Sequence, residues 1–436
     1  MRELTRTVPG AWSEMDERLL LDLLEIDTVT PMEGGSGAGL RVAQERLAAG
    51  ARAIGFDVEL FEPPPPSALE PPELPLTVRE RAADLGGAFL GLQPNLVLRL
   101  GRQPRARTLV FNCHLDTVAD HLPVRRRGDI VYGRGAVDAK GQAAGVLAGV
   151  RLALEAAPDL GRSISVLIHA VGGEEGGAMG FTGTRVLAER GCVGRLNVVA
   201  EPTRLAILDR TTASMTARVE VTGDGSTDDE PAAGHNATIA LGGLVHHLTR
   251  HLAPRVQALG GKLCIAGLHT GTTHNRVHGS GQLLVNFAYG SAPVAAAIER
   301  CVEEELAAGL RALRADLAGV GVARRTAADL PDICRLVWLK RGLPVLDNRD
   351  PGLEAVLRRA GIGRHDGSGG LQPFTCDAMW LQCHDSYTVV LGAGDLATNQ
   401  AHADGEHVAI SELAALASAV ADLVLAFRGW IEEGGR

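Results

Sequence analysis

The chain of 436 residues is longer than a single hydrophobic core usually grows, so two domains are the default expectation. With 45% hydrophobic and 22% charged residues it is globular in composition, and a net charge of -9 argues against nucleic acid or an anionic membrane as partner. Uninterrupted apolar runs of bilayer length and a signal-peptide pattern are both absent, and the seven cysteines include no C-x-x-C pair, so a reduced, cytoplasmic protein is expected.

Leu19, Leu20, Leu23 and Leu24 recur at helical spacing and predict an amphipathic helix over 15–29, followed by another at about 40–54. Proline removes donors and fixes the backbone, so 61–76 (FEPPPPSALEPPELPL) reads as a stiff surface loop. Short apolar runs at 95–100, 108–113, 163–171 and 196–200 read as buried strands, with a helix at about 139–157 between two of them. The basic run Arg125-Arg126-Arg127 precedes Gly128-Asp129 and reads as a solvated turn. Alternation of strand and helix predicts an α/β domain with a mostly parallel sheet and helices on both faces.

From about Thr212 the texture changes. Residues 215–221 alternate like a half-exposed strand, helices are expected near 236–252 and 292–315, and strands at 282–289 and 333–339. This smaller α+β unit interrupts the first fold, which resumes near 341. The expected organisation is a domain built from residues 1–212 and 341–436, with an inserted domain at 213–340.

The polar residues at the strand ends carry the chemistry. The strand 108–113 runs into His114-Leu115-Asp116-Thr117, and residues i and i+2 of an extended segment share a side. His114 and Asp116 therefore converge, and the carboxylate can fix the imidazole as a metal ligand requires, although a surface pair explains this motif alone equally well. In Gly133-Arg134-Gly135-Ala136-Val137-Asp138-Ala139-Lys140-Gly141, Asp138 stands at the start of the long helix, where a plain N-cap is the competing explanation. Glu174 and Glu175 follow a buried strand between glycines, and adjacent carboxylates there are costly unless positive charge lies beside them. Glu201 ends the next strand in Glu201-Pro202-Thr203, and Gly392-Ala393-Gly394-Asp395 leads to His402 and Glu406. Ligand-type residues thus follow the carboxyl ends of successive strands, where α/β sheets place their sites.

Taken in order, His-x-Asp-Thr, Gly-Arg-Gly-x-x-Asp-x-Lys-Gly, Glu-Glu-Gly, Glu-Pro-Thr and Ala-His-x-x-x-Glu make almost the whole chain resemble one family. It is that of acetylornithine deacetylase, succinyl-diaminopimelate desuccinylase, aminoacylase and carboxypeptidase G, which are dinuclear zinc amidohydrolases. The resemblance implies that Asp138 bridges two divalent metal ions, with His114 and Glu201 completing one site and Glu175 and His402 the other. Oxygen and imidazole donors without thiolate favour zinc, with cobalt or manganese as alternatives. It further implies that Asp116 orients His114 and that Glu174 is the general base in hydrolysis of a small-molecule amide, an N-acyl amino acid derivative. The inserted unit would be a lid through which two copies form a homodimer.

The chain departs from that family in the lid. Between Gly223 and Ala237 the histidine position of relatives is Thr227, the strand arginine that grips a substrate carboxylate is Ala288, and Thr212-Ala213 replaces a Lys-Gly. Asn275 is kept, and Cys376-Asp377-Ala378 replaces Thr/Ser-Asp-Ala. Thr227, His235, His274, Asn275 and Asp377 are the candidate substrate contacts, with His278 a further possible donor. The expectation is retained metal chemistry with lost or relocated recognition of a free carboxylate. Two alternatives remain open: a same-fold acyl-transfer or amide-forming enzyme, and a non-catalytic metal-binding relative, which has no need of Glu174.

Overall fold

The computed structural model describes residues 10–365 and 372–435, and the chain divides into two compact units. One comprises residues 1–74, 78–211 and 346–436, the other 75–77 and 212–345.

The larger unit is organised by a six-stranded sheet. Its strands are β1 (Asp57–Glu62), β2 (Asn95–Leu100), β3 (Thr108–His114), β4 (Ser165–Val171), β5 (Leu196–Val199) and β6 (Tyr387–Val390). Their spatial order is β1-β2-β4-β3-β5-β6. The four strands from β4 to β6 run parallel, whereas β1 and β2 add an antiparallel edge. Every residue of β3 and β4 is buried, which is why both read as continuous apolar runs without alternation.

Helix Lys140–Ala156 packs against helix Ile410–Glu432. The latter is long and apolar enough to cross a bilayer by length and composition, yet its Leu413, Leu416, Val420, Leu423, Val424 and Phe427 sit in the main core with the strand residues. Its apolarity is thereby accounted for as core packing. Gly149 lets the two helices approach: a Cβ there would lie 2.5 Å from Val420 Cβ and 2.6 Å from Ala417 O.

Three local expectations are corrected. The opening helix spans Glu14–Glu25 and does not reach 29, because Asp27 Oδ1 accepts the Val29 amide at 3.0 Å and Val29 bridges to Thr117. The proline-rich segment is no free surface loop: its first residues belong to β1, Pro66–Leu69 forms a 3-10 turn, and Ala68 and Leu74 are buried. Proline fixes the backbone there, but the interleaved apolar side chains anchor it. Arg125–Arg127 is exposed as expected, but as a short strand paired with Ile130–Tyr132 instead of a turn.

The smaller unit has a four-stranded antiparallel sheet in the order Lys262–His269, Ser280–Tyr289, Ala213–Thr222, Cys334–Lys340. Leu283, Val285, Phe287 and Tyr289 alternate with half-exposed neighbours, as do Met215, Ala217, Val219 and Val221 on the adjoining strand. Helices Ala237–Ala258 and Ala292–Leu317 pack together in the same unit. A two-residue ribbon pairs Ser226–Thr227 with Arg276–Val277, setting Arg276 directly opposite Thr227.

The helix contact is testable. Gly149→Ala is expected to destabilise the protein by about 1–3 kcal/mol through overpacking. Gly429→Ala, where a Cβ would meet nothing within 4 Å, is expected to stabilise by up to about 1 kcal/mol, both read by denaturant unfolding.

Candidate metal centre

The carboxyl ends of the four parallel strands supply the donor side chains. His114 is the last residue of β3 and is registered against Val171 of β4, three residues before Glu174. Glu201 lies two residues beyond the end of β5, and the segment after β6 leads to His402.

Asp138 joins the donors. Its Oδ1 lies 3.0 Å from His114 Nε2 and its Oδ2 3.1 Å from His402 Nε2. Around this carboxylate, Glu201 Oε1 is 3.5 Å from His114 Nε2 and Glu175 Oε1 is 3.2 Å from His402 Nε2. Donor atoms of His114, Asp138 and Glu201 lie within 4.8 Å of one another, as do those of Asp138, Glu175 and His402, and those of His114, Glu174 and Glu175. Asp138 is not the cap of the following helix, whose N-cap is Ala139 and carries no side-chain capping bond.

Asp116 acts on the site in two ways. His114 Nδ1 lies 2.9 Å from the Asp116 backbone oxygen and 3.6 Å from its Oδ1, so the ring is oriented first by the carbonyl. The Asp116 Oδ2 accepts the amides of Gly173 at 3.0 Å and Glu175 at 3.1 Å, which fixes the loop carrying both glutamates. Its Oδ1 is buried without a hydrogen-bond partner among the described residues.

The electrostatics follow from burial. Burial pushes Glu174 well above the usual carboxylate range, reinforced by Glu175, Asp377 and Glu201. Burial likewise raises Glu201, and raises Glu175 to about 7 against the opposing bond from His402. Burial alone would pull His114 down, but Glu201, Asp116 and Asp138 outweigh it and hold the imidazole well above its ordinary value. Bonds from Asp138 and Glu175 raise His402 to about 10. Burial would raise Asp138, but the bonds from the two imidazoles hold it well below its usual range. Four buried carboxylates around the buried imidazole of His114 and the exposed one of His402 would carry surplus negative charge when all are ionised, which a cation would offset. All the donors are oxygen or imidazole nitrogen, a set that fits borderline divalent ions, and the unpartnered Asp116 Oδ1 adds to the negative field.

Beneath the cluster lies a buried polar chain. Asp377 Oδ2 accepts from Thr184 Oγ1 at 2.5 Å, Thr184 meets Asn112 Nδ2 at 3.0 Å, and Asn112 Nδ2 is 3.4 Å from His169 Nδ1. Burial pushes Asp377 to about 7 and holds His169 down at about 3. Asp377 is thus a buried partner of Thr184. Sequence reasoning passed over several supports of the Asp138 segment. Gln142 Nε2 donates to Val137 O at 2.7 Å and to Ala393 O at 2.9 Å, and buried Lys140 donates to Ile26 O at 2.8 Å. The available signal was a polar residue at i+2 and i+4 from Asp138 on an otherwise apolar helix.

In the smaller unit, Thr227, His274 and Asn275 are all exposed. The expectation for His235 is corrected: its Nδ1 accepts the Asp224 amide at 2.9 Å and its Nε2 lies 3.0 Å from Asp329 Oδ2, so it is a buried structural group with no free nitrogen. His278 Nε2 meets Thr273 Oγ1 at 3.1 Å within its own loop. Arg276 stands opposite Thr227 and brings a guanidinium to that ribbon.

Comparison with known proteins bears on this arrangement. The pattern of peptidase family M20/M25/M40 matches residues 110–426. A succinyl-diaminopimelate desuccinylase of Gluconobacter oxydans is 35% identical over 194 residues, and the match covers 42% of each chain, less than half of that relative's length. Among solved structures, a tripeptidase from Staphylococcus aureus has a TM-score of 0.65 at 16% identity, covering 95% of this chain and 99% of that one. Human carnosine dipeptidase 1 also gives 0.65, at 15% identity, covering 98% and 100%. At these identities the structural likeness is one of fold.

The neutral state of His169 has a pH consequence. Its folded value of about 3 lies below the ordinary 6.5, so its contribution is complete above about 6.5 and is lost as pH falls towards 3. His169→Gln is expected to flatten the decline in unfolding free energy across that window, so that variant and parent converge in acid; parallel curves would refute the assignment.

Proposed function

The chain belongs to peptidase family M20/M25/M40, and on that premise we propose that it is a two-metal hydrolase of an amide bond in an N-acyl amino acid or dipeptide-like substrate. The observation that carries this reading is the single carboxylate of Asp138 set between two imidazoles, with Glu201 and Glu175 on either side and Glu174 adjoining.

His114, Asp138 and Glu201 would hold one divalent ion and Asp138, Glu175 and His402 the other, zinc being favoured over cobalt or manganese. When bound, such a pair supplies Lewis-acid polarisation of the scissile carbonyl and acidifies the attacking water. Glu174 takes the proton of that water and returns it to the departing amine, a shuttle worth about 10²–10⁴-fold in rate. Asp116 keeps Glu174 in place by gripping the amides of Gly173 and Glu175.

The substrate's carboxyl end is recognised differently from the family's usual free carboxylate. Support comes from Thr227 and Ala288, which provide neither the imidazole nor the guanidinium that relatives place there. An amidated, esterified or conjugated carboxyl fits this loss. Residence in the cytoplasm and dimerisation through the smaller unit complete the reading, which involves neither nucleic acid nor membrane.

Glu174→Gln is expected to retain two metals per chain by elemental analysis while losing about 10²–10⁴-fold in kcat. His114→Ala and His402→Ala should each lower the metal content, and unchanged content would remove the ligand assignment. In a panel of N-acyl amino acids and their carboxamides, kcat/KM should be at least as high for the carboxamides; a tenfold preference for free acids would restore the ordinary family pattern. Product analysis with acyl donor and amine present together separates hydrolysis from amide formation, and steady condensation without net hydrolysis would overturn the proposed direction.

A further inference from the structure

The two halves of the donor cluster are anchored by different means. His114 belongs to β3, which is hydrogen-bonded on both sides by β4 and β5, and Glu201 lies two residues beyond β5. His402 has no such scaffold: it is 52% exposed, sits in a turn, and has a φ of 64°, a left-handed conformation that side chains other than glycine rarely adopt.

What holds the His402 segment is a buried ion pair. Arg134 and Glu406 are 2% and 1% exposed, with Nη1 2.9 Å from Oε2. The other oxygen, Glu406 Oε1, accepts three amides of the Asp138 segment, from Gly135 at 2.9 Å and from Val137 and Asp138 at 3.3 Å. Arg134 Nη1 also donates to Ala403 O at 3.2 Å, and the Gly133 amide donates to Glu406 O at 3.2 Å. The guanidinium is held from its far side by Asp120 O at 3.0 Å and Ala119 O at 3.4 Å. One pair of side chains therefore ties the backbone that presents Asp138 to the backbone on the C-terminal side of His402.

We propose that Arg134 and Glu406 are positioning residues that selectively hold the Asp138–Glu175–His402 donor group, leaving the His114–Asp138–Glu201 group, whose His114 and Glu201 are anchored by strands, to stand largely without them. The proposal rests on the two-metal reading above. An isolated buried ion pair is weak evidence for stability, since apolar residues of similar volume often serve as well. Here the pair also satisfies three amides of the Asp138 segment and the Ala403 carbonyl beside His402, with two further carbonyls, Asp120 O and Ala119 O, behind the guanidinium. Partners that orient metal ligands in this way are worth about 10–100-fold in affinity.

The test titrates metal-free full-length protein with Zn²⁺ by calorimetry, and with Co²⁺ by visible absorption. The parent is expected to take two equivalents. Glu406→Gln, which keeps an oxygen for the amides but removes the charge facing Arg134, should bind the first equivalent within about threefold of the parent and the second about 10–100-fold more weakly. Excess zinc should then restore kcat, which a general loss of structure would not allow. If Glu406→Gln does not fold, Arg134→Lys carries the same expectation, since it keeps the charge and loses the fork. Equal weakening of both equivalents, or of neither, overturns the selective clamp. A parent that binds fewer than two equivalents overturns the two-metal reading instead.

Discussion

The arrangement depends on one electrostatic constraint: four carboxylates, Asp138, Glu174, Glu175 and Glu201, are buried together with only two imidazoles among them. Such a group is expensive to remove from water unless charge is matched nearby. The fold meets that demand by ending parallel strands at a common edge, so that donors only a few residues beyond β3, β4 and β5 converge. Strand register sets the spacing of His114 and Glu201, and the loop contacts of Asp116, Arg134 and Glu406 set that of Glu175, Asp138 and His402. The opposite directions of the Asp138 and Glu201 shifts express the same balance: a carboxylate between two imidazoles is driven towards its charged form, while burial, reinforced by neighbouring acids, drives Glu201 towards its neutral form.

The readable parts of the sequence were those where a single physical rule dominates. β2, β3, β4 and β5 were legible because burial on both faces leaves unbroken apolar runs, and His114, Glu174, Glu175 and Glu201 were legible because each ends or follows such a run, whereas Asp138 and His402 stand in turn segments. β1 was missed, since its residues are exposed or half-exposed and it merges into the proline-rich segment. The strand Lys262–His269 went unseen for a similar reason: it is a sheet edge with no buried face to impose a pattern. The opening helix was overextended because apolar spacing continued past Glu25, while a local Asp27 turn decided where the helix stopped.

Long-range pairings were illegible in principle. Nothing in the spacing of Arg134 and Glu406, 272 residues apart, marks them as partners, and each reads singly as a charged loop residue. His235 shows the converse failure. It looked available as a donor in a polar lid segment, yet Asp224 and Asp329 occupy both of its ring nitrogens. The division of labour in Asp116 was also hidden, because pairing by i and i+2 predicts a carboxylate–imidazole contact whereas the backbone carbonyl takes the ring and the carboxylate takes the neighbouring loop.

These placements differ in what each residue supports. His114, Asp138, Glu175 and Glu201 are buried and tied to register, amide clamps or neighbouring charge, so a change at any of them leaves uncompensated charge in the core. Thr227, His274 and Asn275 are exposed, and no core packing depends on them. A substitution there costs little stability, which is the general condition under which binding residues on surface segments can differ while the scaffold is unchanged. A threonine at position 227 is therefore compatible with an intact donor cluster. Arg276, fixed opposite Thr227 by a two-residue ribbon, shows that the same surface carries a guanidinium of its own.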